Sequence, residues 1–449
     1  MKGANFRDKR TNRFVLATLA VTLALFSAAS CGDDGSSAAL DGGNAIDAGP
    51  QASADYVFDE SQIRTFNVTL PAAAWDNLQA TATDEQYTSA TLEYDGQTVE
   101  NIGLRFKGSF GSLYFCFIGG IQTCDKLSMK LKFNEYVPGQ RFYGLKKINL
   151  HAMESDPSKM HDAIGYKLFR DQDVYAPRTA YARLLVNGES LGLFIAVEAI
   201  DGRFTRSRFP DGGKGNLYKE VWPMHTTEGP YIAALKTNED ESPTADKMVR
   251  FTQDLNAAGD AGFVDTLRAW TDVDMLMRYM AVDRLIDHWD GIVGWYCGGA
   301  DCNNHNFYWY ESSVEDKVWL VPWDLDHTFE EPSPIRSNYG MPDWDAVNAD
   351  CGPVSIFAGI NGRAPSCDSL IDRMARLLWD DYKAATEVLL AGDFASAAMN
   401  ARIDALAALI ASEVEADTVS TQTTAEWQAA VQQLKNAVDA KRSYVQSKL

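Results

Sequence analysis

The sequence predicts an α+β protein with a β-rich first half and a mainly helical second half. Between residues 57 and 148, apolar and polar residues alternate in short runs separated by Gly and Asn, which is typical of antiparallel strands. From residue 244 onward, most apolar residues recur at helical spacing instead. The residues from 57 to 449 are enough for one large bilobal domain or two domains of ordinary size.

The N-terminal region predicts export and a lipid anchor. Residues 1–30 have a basic start and an apolar run that is short for a membrane span, as in a signal peptide. The segment Ala28-Ala29-Ser30-Cys31 resembles the lipobox of bacterial lipoproteins, so we expect a lipid on Cys31 to hold the mature chain to the cell envelope, at the outer membrane or cell surface. An ordinary signal peptide or an uncleaved anchor is the alternative. Residues 31–56 are mostly Gly, Asp, Ser and Ala and predict a disordered tether.

The net charge argues against nucleic acid and anionic lipid as partners. The whole chain carries −21, and residues 1–30 hold five basic residues and one acidic residue. Removal of a segment with a charge of +4 leaves −25 on the remainder. A surface this acidic repels phosphate groups on nucleic acids and lipids.

The cysteines besides Cys31 fall into three pairs that are close in sequence. These are Cys116 with Cys124, Cys297 with Cys302, and Cys351 with Cys367. In an exported protein this pattern favours three local disulfides. A metal site is the alternative, but the chain has no C-x-x-C pair and only six His.

The predicted β-rich lobe, residues 57–200, combines strands, one helix and a hairpin. Strands are indicated at Phe66–Leu70, Ala90–Tyr94 and Leu127–Phe133. Asp156-Pro157-Ser158 caps a helix that runs to about Asp171. Two further strands, 182–186 and 191–197, are joined by Asn187-Gly188, a strong signal for a hairpin turn. We expect a small sheet with one helix packed on it.

The predicted helical lobe, residues 201–449, contains one strand hairpin. Amphipathic helices are indicated at 248–258, 264–270, 272–288 and within 368–449. The clear strands after residue 244 are Asn306–Tyr310 and Val318–Val321. We expect these two strands to pair with each other between helices.

Acidic and amide side chains lie at the ends of these strands. Asp290 precedes the hairpin, Asn306 opens its first strand, and Asp324 and Asp326 follow its second strand. Hard divalent cations take oxygen ligands and neutralise phosphate groups. The arrangement therefore indicates a divalent-metal site that handles phosphate.

With these residues the chain resembles the spore-coat protein H (CotH) kinase family, a set of atypical secreted kinases. The resemblance runs from about Phe66 to Phe329. The matching pieces, in order, are Gly103-Leu104-Arg105-Phe106-Lys107-Gly108-Ser109, Lys126-Leu127-Ser128-Met129-Lys130-Leu131, Ala176-Pro177-Arg178-Thr179, Val186-Asn187-Gly188-Glu189, Gly192-Leu193-Phe194, Val197-Glu198-Ala199-Ile200-Asp201, Gly215-Asn216-Leu217-Tyr218-Lys219, Trp289-Asp290-Gly291, Asn306-Phe307-Tyr308 and Pro322-Trp323-Asp324-Leu325-Asp326.

The resemblance implies a bilobal atypical protein-kinase-like fold, with a β-rich N-lobe and a mainly helical C-lobe. It also implies transfer of phosphate from ATP to hydroxyl groups of exported or cell-envelope proteins, with Mg²⁺ or Mn²⁺ as cofactor. Asp290 then corresponds to the catalytic Asp, and Asn306 and Asp324 correspond to metal ligands. Asp326 is interpreted as a second metal ligand or as a turn residue.

The spacing between Asp290 and Asn306 departs from the family pattern. In kinase catalytic loops the Asn follows the Asp by about five residues, whereas sixteen positions separate the two here. A loop closed by Cys297 and Cys302 can bulge outward and leave both ends in place. The longer spacing makes Asn303 and Asn304 rivals, and we prefer Asn306 because it directly precedes the strand.

A strand lysine should hold the phosphates of ATP. Lys130 is preferred and Lys126 comes next, with a solvated strand lysine as the alternative for each. Asp162 on the following helix is a candidate partner for this lysine, as a Glu is in ordinary kinases. Arg105 and Lys219 are further candidates for the nucleotide site, although Lys219 fits a plain loop lysine equally well.

Three other features near the site have ordinary explanations. The Gly-rich segment 108–112 predicts either a phosphate cap or a hairpin turn. His288 and His327 flank the site and are interpreted as surface or core histidines.

Two other functions fit parts of the sequence. Residues 324–328 read Asp-Leu-Asp-His-Thr and match the D-x-D-x-T motif of haloacid-dehalogenase-type phosphatases, in which the first Asp attacks phosphorus. That fold needs strands and helices alternating in a parallel sheet, whereas the sequence after Asp326 is almost all helical. The second alternative is a catalytically inactive envelope protein that uses the fold for adhesion or as a scaffold, and the insertion after Asp290 favours it.

Overall fold

The computed structural model describes residues 53–108, 113, 116–118, 120–239, 244–298, 301–330, 343–345, 347, 350–357 and 360–449. The predicted signal peptide, Cys31 and residues 31–52 of the tether lie outside these ranges, as do residues 109–112 of the Gly-rich segment. The fold begins slightly before the predicted boundary at residue 57, because helix α1 (Ala54–Val57) already buries Ala54 and Val57.

Seven strands of the first half close into a barrel. They are β1 (Arg64–Thr69), β2 (Thr88–Tyr94), β3 (Gln97–Phe106), β6 (Met129–Lys132), β7 (Lys147–His151), β8 (Thr179–Val186) and β9 (Glu189–Glu198). A separate small hairpin comprises β4 (Phe117–Ile118) and β5 (Ile121–Gln122). Around the barrel the order is β1-β2-β3-β6-β7-β9-β8, and the parallel pairing of β1 with β8, which sets Phe66 opposite Leu184, closes it.

Alternation along the strands separates the two faces of the barrel. Side chains such as Val68, Leu92, Leu104 and Leu131 are fully buried in the cluster that fills the interior. The opposite, outer face of β3, β6 and β7 is polar and carries Arg105, Lys130 and Asn149 at paired positions. This outer face is the one that meets the candidate site.

The predicted strands and the Asn187-Gly188 turn are confirmed, with both turn residues at positive φ (54° and 83°) as a tight hairpin requires. The predicted small sheet is wrong in extent. Closure depends on β1 and β8 pairing in parallel across more than a hundred residues, and alternation within single strands carries no information on such a partner.

The helices between residues 72 and 233 are short. They are α2 (Ala72–Ala80), α3 (His161–Asp171), α4 (Gly202–Arg208) and α5 (Gly229–Ala233). The predicted helix after Asp156 is confirmed as α3. One Asp156 carboxylate oxygen accepts hydrogen bonds from the backbone and hydroxyl of Ser158, and the other accepts one from the backbone N–H of His161.

The second half is mainly helical, as predicted. Its helices are α6 (Asp246–Trp270), α7 (Val273–Leu285), α8 (Ser369–Leu377), α9 (Trp379–Ala391), α10 (Ser396–Ala416) and α11 (Thr424–Lys448). The two helices predicted within 248–270 form one element with a non-helical residue, Gly259, between them. None of the described helices is by itself long and apolar enough to cross a membrane, and α9 with α10, bent by 59°, meets that measure only as a pair.

The second half contains more strands than predicted. The predicted hairpin is confirmed as β13 (Phe307–Glu311) and β14 (Val318–Pro322), and β10 (Asn216–Lys219) pairs with β13. A further sheet comprises β11 (Trp295–Gly298), β12 (Asp301–Asn303), β15 (Val354–Phe357) and β16 (Ile360–Arg363). In the part of the chain described after Asp326, one short hairpin, a 3-10 turn and four α-helices follow, so the alternating parallel sheet of a haloacid-dehalogenase-type phosphatase does not form.

All three predicted disulfides are confirmed: Cys116–Cys124, Cys297–Cys302 and Cys351–Cys367. Buried apolar side chains form two clusters. One fills the barrel, and the larger one joins α3, the β13–β14 hairpin and the helices of the second half. The result is a mixed α+β fold, in agreement with the predicted class.

A buried ion pair connects the barrel to the link between α10 and α11. Lys126 Nζ lies 2.9 Å from a carboxylate oxygen of Asp417 and also donates to the carbonyl of Leu193. The same Asp417 oxygen accepts the backbone N–H of Leu193. The carboxylate can approach this closely because residue 192 is Gly, and a Cβ there would lie 2.1 Å from Asp417 Oδ2.

Replacing Lys126 by Met should lower the free energy of unfolding by about 3 kcal/mol or more, because the Asp417 carboxylate would stay buried without its counter-ion. Urea unfolding followed by circular dichroism measures the loss. Lys435→Met is the matched control, because its partner Asp404 is 64% exposed and the pair should contribute less than about 1 kcal/mol. Equal losses of stability in the two variants would contradict the assignment of Lys126 and Asp417 as a buried ion pair.

Candidate active site

The segment from Trp323 to Asp326 leaves a fully buried strand and carries the two central carboxylates. β14 is buried along its whole length. The backbone N–H of Trp323 donates to the carbonyl of Asn306, which fixes the end of β14 against the start of β13. The backbone N–H of Asp324 donates to the Tyr166 hydroxyl at 2.9 Å. Asp324 has φ of 56°, a left-handed conformation that Asp tolerates better than most residues.

Helix α3 holds this segment from the other side. His161 Nδ1 lies 2.9 Å from the carbonyl oxygen of Asp326. A Cβ at Gly165 would lie 2.9 Å from the Leu325 side chain, so a glycine in α3 permits the helix to pack against the residue between the two carboxylates. Tyr166, Gly165 and His161 therefore position Asp324 and Asp326 through one helix.

Asp290 and Asn306 lie in direct contact despite the sixteen positions between them. The Asn306 amide nitrogen donates to the Asp290 carboxylate at 2.8 Å and to the Asp290 carbonyl at 2.9 Å. Among the rivals, Asn304 donates to the carbonyl of Ile292 instead, and Asn303 is exposed in β12. The structure thus places Asn306 beside Asp290.

The insertion between Asp290 and Asn306 is ordered as a hairpin in the described residues. β11 and β12 pair across the Cys297–Cys302 disulfide, and β11 also pairs with β16. The hydroxyl of Tyr296 in β11 donates to the second carboxylate oxygen of Asp290. The inserted residues therefore leave both ends in place, as the sequence predicted, and add a contact to Asp290.

A chain of three side chains on the outer face of the barrel supplies a cation. Lys107 Nζ lies 2.9 Å from His151 Nε2, and His151 Nδ1 lies 2.8 Å from Asp162 Oδ2. An ammonium group only donates, so Nε2 accepts and the ring hydrogen on Nδ1 goes to Asp162. Lys107 also lies 5.8 Å from the Trp323 ring, next to Asp324 in sequence.

Charged groups from the barrel and from the second half act on the same two carboxylates, Asp324 and Asp326. Burial alone would raise the pKa of Asp324, but nearby cations, Lys107 first and then Lys219 and His327, outweigh it and hold that pKa below its ordinary value. Burial and the neighbouring Asp324 raise the pKa of Asp326 to about 6. Burial lowers the pKa of Lys107, although Asp324 favours its charged form.

His327 belongs to the cluster. Burial disfavours its charged form, but Asp326, Glu330 and Asp290 together raise its pKa to about 10, so the ring is a cation at neutral pH. Its Nδ1 atom lies 2.7 Å from Glu330, and its ring lies 5.1 Å from that of Trp289. His327 is thus surrounded by acidic side chains, whereas His288 fits the interpretation as a core histidine, since it is fully buried against Asp283 at 3.1 Å.

The other predicted nucleotide residues divide into two groups. Lys219 and Asp162 lie in the cluster, and Asp162 contacts Lys107 through His151 rather than directly. Lys126 lies in the ion pair with Asp417, and Arg105 pairs with Glu85. Lys130 is buried in β6 between Arg105 and Asn149.

Sequence reasoning missed Lys107, His151 and His327 as site residues. Lys107 was visible in the first matching piece, two positions after Arg105 and directly before Gly108, where a strand meets a Gly-rich segment. His151 closes a strand and carried no signal of its own. The link between them depends on β3 and β7 lying on either side of β6 in the barrel.

The donor set fits a hard divalent cation bound together with phosphates. Asp324 and Asp326 are close enough to perturb each other's ionisation, and Asn306 has an amide oxygen to offer because its nitrogen is committed to Asp290. Within the described residues no three His, Cys, Asp or Glu side chains form a ligand group. Mg²⁺ sites of this kind use one or two carboxylates and take their other ligands from phosphates and water.

A closed barrel and a helical half, with two carboxylates near one lysine from each half, define a mixed α+β protein with a charged polar site. The family described as CotH kinase protein matches residues 104–445, well over half of the chain. The chain therefore belongs to this family, which confirms the resemblance found in the sequence. The match also extends through α8–α11, beyond the limit at Phe329.

Two relatives are similar over part of their length. Inner spore coat protein H of Bacillus subtilis is 24% identical over 221 residues, which cover 46% of this chain and 56% of that protein. Invasin CotH2 of Rhizopus delemar is 21% identical over 323 residues, which cover 67% of this chain and 52% of that protein. The chain spans little more than half the length of either relative.

Asp326→Asn should stabilise the metal-free protein. The native state keeps a proton on Asp326 up to pH about 6, whereas the unfolded chain releases it near the ordinary value of 3.8. Stability is therefore lost as pH rises from about 4 to about 6 and stays lost above. We expect a gain of about 1–3 kcal/mol at pH 7 that shrinks toward pH 4.

Thermal unfolding in the presence of a chelator, measured across this pH range, checks the expectation. Asp76→Asn, which changes an exposed carboxylate on α2, is the control and should show no such growth with pH. A gain for Asp326→Asn that is the same at pH 4 and pH 7 would contradict the perturbed ionisation.

Proposed function

We propose that this protein is an exported protein kinase of atypical type, which transfers phosphate from ATP to hydroxyl groups of exported or cell-envelope proteins. One observation carries the proposal: Asp290 with Asn306, and Asp324 with Asp326, lie in one cluster with Lys107, Lys219 and His327. Phosphoryl transfer needs a cation-rich site for the phosphates together with a carboxylate for the accepting hydroxyl.

Each residue of the cluster has a role in this proposal. Lys107 and Lys219 hold the phosphates of ATP, and the His151–Asp162 pair orients Lys107 as a Glu does in ordinary kinases. Asp324 and Asn306, together with Asp326 in its deprotonated form, would hold Mg²⁺ or Mn²⁺, and the cation would neutralise charge on the phosphate oxygens. Asp290 orients the accepting hydroxyl and takes its proton, while Asn306 fixes the direction of Asp290.

The architecture and the disulfides support the proposal. In this proposal the barrel acts as the β-rich N-lobe and the helical half as the C-lobe, and residues of both contribute to the cluster. Three disulfides are typical of proteins outside the reducing cytosol. They agree with the expected signal peptide and with attachment to the cell envelope through a lipid on Cys31. The printed names of the relatives, a spore coat protein and an invasin, also favour a surface location.

A second candidate function is a catalytically inactive envelope protein that acts in adhesion or as a scaffold. The contact of Tyr296 with Asp290 favours it, because this hydroxyl lies where an external substrate would have to bind. The names of the two relatives describe a coat component and an invasin rather than an enzyme. The two candidates differ in whether the isolated chain binds ATP with a divalent cation.

The variants Asp324→Asn and Asp290→Asn should separate ATP binding from phosphate transfer. Asp324→Asn should lose cation-dependent ATP binding in titration calorimetry with Mn²⁺, because a carboxylate ligand is removed. Asp290→Asn should keep that binding but lose phosphate transfer by about 10²-fold or more, because the proton acceptor is gone. Asp316→Asn, an exposed carboxylate on the β13–β14 turn that pairs with Arg250, is the control. Wild-type protein that binds no ATP with either cation would refute the kinase proposal.

Lys107→Met should weaken ATP binding about tenfold or more, a loss of about 1.4 kcal/mol or more, because the cation that acts most strongly on Asp324 is removed. Lys130→Met is the matched control, since Lys130 lies on the same outer face one strand away. The difference between the two affinities, with circular dichroism to verify folding, is the measurement. A larger loss for Lys130→Met would return the phosphate-binding role to the lysine preferred from the sequence.

A further inference from the structure

Tyr296 is in direct contact with the proposed proton acceptor. Its hydroxyl donates a hydrogen bond to Oδ1 of Asp290. Oδ2 of the same carboxylate accepts the Asn306 amide at 2.8 Å. One oxygen is thus oriented by a neighbour, while the other already holds a hydroxyl. This is the arrangement that a kinase carboxylate and a substrate hydroxyl require before transfer.

The inserted hairpin fixes Tyr296 in this position. Tyr296 pairs with Asn303 on one side and with Gly362 on the other. The Cys297–Cys302 disulfide closes the hairpin at the next residue, and the Tyr296 ring lies 5.4 Å from that of His305. The side chain is only partly buried, so part of it is open to solvent. The insertion therefore delivers one particular hydroxyl to Asp290.

We propose that Tyr296 is an intramolecular phosphate acceptor of this protein, an inference that rests on the proposed kinase function. In the transfer step the Tyr296 oxygen forms a bond to the γ-phosphorus of ATP, and the bond from that phosphorus to the bridging oxygen of the β-phosphate breaks. ADP leaves with the electron pair of the broken bond. The proton of the hydroxyl passes to Asp290.

The modification changes the charge beside Asp290. A phosphotyrosine carries a charge of about −1.5 to −2 at neutral pH, and it would adjoin the carboxylate that previously accepted its hydrogen bond. Repulsion between these groups moves the side chain away from Asp290. Self-phosphorylation of Tyr296 therefore opens the acceptor position to the hydroxyl of an exported substrate.

Mass-spectrometric mapping after incubation of the full-length chain with ATP and Mn²⁺ tests the inference. We expect phosphate on Tyr296 in the wild type, none at this position in Asp290→Asn, and no loss of it in Tyr136→Phe, which changes a 45% exposed tyrosine of the barrel half. The rate should not depend on protein concentration. When Tyr296→Phe protein is mixed with Asp324→Asn protein, Tyr296 of the latter should stay unmodified.

A second readout does not depend on turnover. Nitration by tetranitromethane, followed by peptide mass spectrometry without ATP or metal, reports how accessible each tyrosine ring is. Tyr296 should react several-fold faster in Asp290→Ala than in the wild type, whereas the reaction of Tyr136 should not change. Equal nitration rates for Tyr296 in the two proteins would argue against the contact between Tyr296 and Asp290, and the inference would then be overturned.

The outcomes distinguish this inference from the kinase proposal. Transfer to casein or to other residues of the chain, with Tyr296 unmodified, overturns the inference and leaves the kinase proposal standing. Phosphate on Tyr296 that appears only in trans overturns the intramolecular route. Absence of both ATP binding and transfer in the wild type refutes the kinase proposal and the inference together.

Discussion

Two carboxylates at the end of a buried strand, Asp324 and Asp326, impose the charge balance on which the rest of the site depends. Burial, together with repulsion from Asp324, raises the pKa of Asp326 to about 6. An unpaired buried charge costs several kcal/mol, so the surrounding structure must supply cations. Lys107 provides one from the barrel, and Lys219 and His327 provide others from the second half. The site therefore exists only where the two halves of the chain meet.

The barrel and α3 hold these opposed charges at fixed positions. Closure of the barrel gives β3 and β7 a rigid outer face, on which Lys107 and His151 come within 2.9 Å of each other. Helix α3 contributes Asp162 to that face and Tyr166 to the Asp324 backbone. A displacement of α3 would thus change the cationic and the anionic sides together. Because of this coupling, a substitution in α3 would affect both sides of the site at once. A substitution of a single charged side chain would affect only one side.

The sequence predicted the acidic half of the site better than the basic half. Asp290, Asn306, Asp324 and Asp326 follow or precede strands that could be recognised locally, so their positions followed from strand ends. The basic residues of the site could not be predicted in this way, because their positions depend on which strands are neighbours in the closed barrel and on which side chains point outward. Lys126, Lys130 and Arg105 satisfy the local pattern of a strand lysine or arginine, but Lys126 and Arg105 are engaged by Asp417 and Glu85. Those partners are remote in sequence or depend on tertiary packing, which no local pattern records.

The insertion after Asp290 has a more specific structure than a loop that is merely tolerated. A loop that bulged outward would be enough to keep Asp290 beside Asn306, and it would not require any particular amino-acid sequence. Here the inserted residues form a disulfide-closed hairpin that joins a second sheet and returns a hydroxyl to Asp290. Under the proposed kinase function, such a contact either blocks the position of the accepting hydroxyl permanently, as an inactive scaffold would allow, or supplies the first hydroxyl to be phosphorylated. The partial exposure of Tyr296 favours the second possibility, because the phosphate that the reaction adds needs space that a sealed contact would deny.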